Sequence, residues 1–131
     1  MEELIGRITA ALNIDAGLAQ NAVGAVLGFL QKEGPTGEIS QLIDGLPGAQ
    51  EAIDAAAAAS GGGGGLMGAL GGLFGGAGGL MGLAGQLQGM GLGMDQIQTL
   101  AEEFFAAARE KLGEEAVGRI TAQIPGLDRF V

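Results

Sequence analysis

Residues Leu66 to Gly93 read as four consecutive heptads, LMGALGG, LFGGAGG, LMGLAGQ and LQGMGLG, and no other stretch limits the fold as much. Leucine opens every unit (Leu66, Leu73, Leu80, Leu87), glycine always stands third, and Leu70, Ala77 and Ala84 follow a leucine by four residues. Apolar spacing of 4, 3, 4, 3 is that of a helix packed along its length against another element. Yet glycine fills nine of the 22 places from Leu66 to Leu87, and each glycine inside a helix costs about 1 kcal/mol relative to alanine. Such a segment stays helical only with a neighbour lying against it. Glycines at i and i+4, among them Gly68 with Gly72 and Gly71 with Gly75, leave a smooth strip on which a second backbone can approach closely. Met67, Phe74 and Met81 recur beside the leucines and widen the apolar face. The predicted association surface is therefore Leu66, Met67, Leu70, Gly72, Leu73, Phe74, Gly75, Ala77, Leu80, Met81, Ala84 and Leu87. A glycine-rich coil is the competing reading. It suits the unbroken run Gly61 to Gly65, but gives no reason for a leucine every seven residues further on.

The flanks are ordinary amphipathic helix. Leu4, Ile5, Ile8 and Leu12 share one face of a helix that Asn13 and Ile14 interrupt. Asp15 is placed to cap the next, whose inner face is Leu18, Ala22, Val23, Val26, Leu27 and Leu30, up to Gly34-Pro35. Thr36 is placed to cap a short third helix carrying Ile39, Leu42, Ile43 and Leu46, which Pro47 closes. Alanine-rich sequence from Ala49 then resumes helix, with Ile53 packing back. After the heptads Asp95 is read as a cap with Gln98 at the box position, opening a helix whose inner face includes Ile97, Leu100, Phe104, Phe105 and Ala108. A last helix carries Val117, Ile120 and Ile124, with Glu115 and Arg119 at the i,i+4 spacing of an ion pair, and stops at Pro125-Gly126; Leu127, Phe130 and Val131 are read as a tail on the core.

An internal repeat emerges: Leu12-Asn13-Ile14-Asp15 matches Leu92-Gly93-Met94-Asp95, Lys32-Glu33-Gly34 echoes Lys111-Leu112-Gly113, and Leu46-Pro47-Gly48 matches Ile124-Pro125-Gly126, with two small gaps. In this repeat the heptad helix takes the place of the first helix in the second copy. The prediction is an all-α chain: a helical module at 1–54, an Ala/Gly-rich connector at 55–65, a Gly-rich heptad helix at 66–93 and a second module at 94–131.

Composition narrows the chemistry. Residues 1–54 carry a net charge of −6 and residues 95–131 a net charge of −3, while nothing between Asp54 and Asp95 is charged. An acidic chain without a basic stripe repels phosphate backbones and anionic lipid headgroups, so nucleic acid is not an expected partner. The start, MEELIGRITAAL, has acids where a secretory signal needs positive charge, which reads as cytoplasmic. There is no cysteine and no histidine, so thiolate metal sites and the commonest general base are missing. The glycines lack the Lys-Ser/Thr of a phosphate loop. Ser40 and Ser60 are the only serines, and the doublets Glu102-Glu103 and Glu114-Glu115 read as solvated faces. No catalytic residue, cofactor or metal is predicted.

Taken together, Leu12 to Asp15, the GPTGEISQLI segment, Leu46-Pro47-Gly48, the Gly/Leu middle, and LGMD followed by a helix and EEAVGRI resemble the bacterial family of unknown function labelled VcgC/VcgE, and a broader relative with tandem helical units. That resemblance implies an all-α bacterial protein and brings no catalytic or ligand residues. The function read from the sequence is a non-enzymatic structural or interaction protein that self-associates, as an oligomer or filament subunit, through the Gly-rich helix. The alternative is a membrane-associated protein in which 22 uncharged residues, roughly 30 Å of helix, pack as a glycine zipper in lipid.

Overall fold

The computed structural model describes residues 2–61 and 79–124, with side chains at 2–56 and 83–124. The protein is all-α: among the described residues there are seven helices and no strand. They are α1 (Glu2–Leu12), α2 (Ala16–Glu33), α3 (Thr36–Gly45), α4 (Ala49–Gly61), α5 (Gly79–Gly89), α6 (Met94–Leu112) and α7 (Glu114–Gln123).

α2 is the axis. From Ala22 to Leu27 every residue is buried, as a helix apolar all round must be, and α1, α3, α4, α5 and α6 all pack on it. Small residues are needed there because α4 comes very close. A Cβ built on Gly24 would collide with the carbonyl of Ala52 and stand 3.0 Å from the Ala56 Cβ, whereas one on Gly28 would meet Ile53 Cγ2 at an ordinary 3.7 Å. Close approach over a glycine, which the spacing suggested for the heptads, is thus found at the crossing of α2 and α4.

Helix ends follow the sequence in part. Asp15 caps α2 as expected, accepting from the Leu18 amide at 3.1 Å. Thr36 does not cap α3; Pro35 stands at that position, with no side-chain cap, and Thr36 is the first helical residue. Asp95 does not cap α6 either. The cap is Gly93, whose amide donates to Gln96 Oε1 at 2.9 Å. The reason lies in how α5 ends. Gly91 turns left-handed at φ 101°, and the Leu92 amide reaches back to the Leu87 carbonyl at 3.2 Å, which leaves only Gly93 before the next helix. α1 ends the same way, with Asn13 at φ 57° and the Ile14 amide donating to the Thr9 carbonyl at 3.3 Å.

These ends set the register of an internal duplication. α2 and α6 begin at residues 16 and 94, and α3 and α7 at 36 and 114, a constant offset of 78. Buried positions obey it: Ala19 and Ile97, Ala22 and Leu100, Leu27 and Phe105, Ile39 and Val117, Leu42 and Ile120, Leu46 and Ile124. The structural equivalents of Asn13-Ile14-Asp15 are therefore Gly91-Leu92-Gly93, two residues earlier than the sequence match of Asn13-Ile14-Asp15 with Gly93-Met94-Asp95. α5 occupies the place of α1 in the second unit.

The units interlock. α1 packs on α6 and, reciprocally, α5 packs on α2; α2 also meets α6, and α3 meets α7. The described parts of segments 1–54 and 94–131 thus meet directly, and buried side chains from Leu4 to Ile124 form one core cluster. Phe104 and Phe105 sit edge to face within it, centroids 5.3 Å apart. No polar side chain among the described residues is buried.

Candidate association surface

Of the predicted surface, Leu66, Met67, Leu70, Gly72, Leu73, Phe74, Gly75 and Ala77 lie outside the described residues. Leu80 and Met81 belong to α5, with their side chains outside the described set. The remaining two are placed. Leu87 is 2 % exposed and Ala84 half-buried, so both turn toward this chain's own α2 and α6. Leu83, not among the predicted seam residues, is buried with Leu87 at the helical i,i+4 spacing. That spacing was present in the sequence, beside the heptad seam. The C-terminal turns of α5 are therefore committed to the intramolecular core, and they end at Gly89, short of the predicted Gly93.

Two clefts border this core. One, lined by Val26, Phe29, Leu83, Ala84, Ile97 and Ala101 among others, is apolar and has a volume of about 40 Å³, room for one methyl-sized group where a small-molecule site takes several hundred. The other, about 360 Å³, lies between the start of α1, the α3–α4 turn and the end of α6, with Leu4, Leu46, Pro47 and Ala107 as its apolar floor and Arg7, Glu110 and Lys111 among its charged lining. Arg7 is engaged there by Glu110 at 3.5 Å and by Glu103 at 3.8 Å.

Among the described residues the ion pairs lie at the surface. Arg119 reaches Glu38 on α3 at 3.0 Å, where the sequence pointed to Glu115; tertiary packing of α3 on α7 brings the other partner closer. The Arg119 hydrogen bond, assisted by the Glu38 backbone amide, holds the Glu38 carboxyl below the usual carboxylate range. Glu102, Glu114 and Glu115 are exposed and Glu103 half-buried. Among the described residues no group of His, Cys, Asp or Glu is arranged to hold a metal ion, and no helix is long and apolar enough to cross a membrane. The outer surface is correspondingly polar: Met94, 58 % exposed, is the only exposed large apolar side chain among the described residues, and Gln88 Nε2 lies 2.9 Å from its sulfur. Comparison with protein-family profiles, with characterised proteins and with solved structures finds no match to this chain.

Proposed function

We propose that this is a non-enzymatic, cytoplasmic interaction protein that self-associates through the leucine-glycine stretch N-terminal to Leu83. One observation carries the reading. Leu83 and Leu87 turn inward, and Met94 is the only large apolar side chain the described surface exposes, so apolar association falls to Leu66, Met67, Leu70, Leu73, Phe74, Leu80 and Met81 with the glycines between them. An uncharged, leucine-rich sequence of that kind is covered in water when it packs against its equivalent on another copy. Kinship with the VcgC/VcgE family is part of the proposal, supported by the tandem arrangement of α1–α3 and α5–α7.

The test is mass in solution by light scattering, for the parent chain and for the double variant Gly72→Leu/Gly75→Leu. The parent is expected well above 12.9 kDa and the variant at monomer mass with unchanged far-ultraviolet dichroism. Equal masses would remove the glycine contact from the account. Recovery of the parent only with membranes would make the lipid-packed glycine zipper the better reading.

A further inference from the structure

The two three-helix units complete one another. Leu4 and Ile8 of α1 are buried where α1 lies on α6 and α2, and Leu83 and Leu87 of α5 are buried where α5 lies on α2 and α6. Each first helix is thus covered by both second helices, its own and the other unit's. From this reciprocity we infer that a second copy of this chain is a partner for the surface between units, forming a closed dimer in which α1 of one copy packs on α6 of the other and α5 on α2.

Three features of the described residues support exchange. Contacts between the units come in matched pairs, α1 on α6 and α5 on α2, so an exchanged dimer makes every contact twice and exposes no new apolar face. The core is one cluster drawn from both units, so neither unit buries its apolar side chains alone and each needs a complementary unit. α4 packs chiefly on α2 of its own unit, so exchange leaves that crossing intact. With no cysteine in the chain, residues 62–78 are the only covalent link between Gly61 and Gly79, and either copy can supply the second unit. Exchange is bimolecular and internal closure is not, so the share of exchange dimers rises with the concentration at which chains refold, for example from about 10 μM to about 1 mM. The inference rests on the described helices and is independent of association through the glycine-rich stretch.

The experiment uses full-length chains carrying Gly72→Leu/Gly75→Leu, which removes that other mode. One chain adds Arg7→Cys and the other Glu110→Cys, exposed positions that face each other across α1 and α6. They are mixed in denaturant, refolded at both concentrations and treated with a short bismaleimide; a chain with both cysteines, closing internally, sets the scale. The share of covalent heterodimer is expected to rise several-fold between the two concentrations, and the product is expected to be absent when already folded chains are mixed. A yield that stays flat with concentration, or that is the same without unfolding, overturns the inference.

Discussion

Gly24 and Gly28 stand one turn apart on α2 and face the same neighbour, yet only one of them needs to be glycine. At Gly24 a methyl group would run into the Ala52 carbonyl, and a backbone cannot yield as a side-chain tip can. Gly24→Ala is expected to lower stability by about 1–3 kcal/mol through overpacking. Gly28→Ala, in ordinary contact with Ile53 Cγ2 at 3.7 Å, is expected to be neutral or to raise stability by up to about 1 kcal/mol through helix propensity. Urea unfolding of both variants checks the pair, and equal effects would count against the close crossing of α2 and α4. What the sequence discloses at this scale depends on how far away the partner is. Asp15 was legible as a cap because its partner is the amide of Leu18, three residues on. Nothing local marks Gly24, because its constraint comes from residue 52.

α6 shows the same division at the scale of an element. Its inner face was legible because Ile97, Leu100, Phe104 and Ala108 keep the helical period, but its start was not, because Asp95 looks like a cap and is a first-turn residue. The anchor is Gln96. Its Oε1 accepts from the Gly93 amide and its Nε2 donates to the Leu12 carbonyl, both at 2.9 Å, so one side chain ties the start of α6 to the end of α1. Replacing it leaves the partly buried Leu12 carbonyl without that donor. Gln96→Ala is expected to cost about 1–3 kcal/mol, while Gln98→Ala, at an exposed position, stays within about 0.5 kcal/mol. Thermal unfolding followed by circular dichroism separates them. Leu83 is hidden for a related reason: in a stretch with so many leucines the period of seven obscures the i,i+4 spacing that puts Leu83 and Leu87 in this chain's own core.

For the whole molecule, the duplication was visible in the sequence but its register was not, because Leu-X-X-Asp repeats two residues away from where the chain turns. The ion pair of Arg119 with Glu38 joins the two units at α3 and α7, and it makes their stability acid-sensitive. A carboxyl held low in the folded state stabilises it fully above its unfolded pKa, about 4.3, and that contribution is lost as pH falls through the lower folded value. Glu38→Gln is therefore expected to lower the urea midpoint at pH 7, with the gap to the parent closing as the pH drops below about 4. A gap of constant size across that range would show that the pair contributes nothing. The packing of α1 on α6 also has a consequence for how the protein is made. At synthesis rates of roughly 5–20 residues per second, Leu4 and Ile8 leave the ribosome several seconds before Phe104 and Phe105 exist. Until α6 is made, the nascent chain carries the α6-facing side of its first helix uncovered, with only the part that lies on α2 sheltered, and the fold closes when two helices far apart in the chain meet.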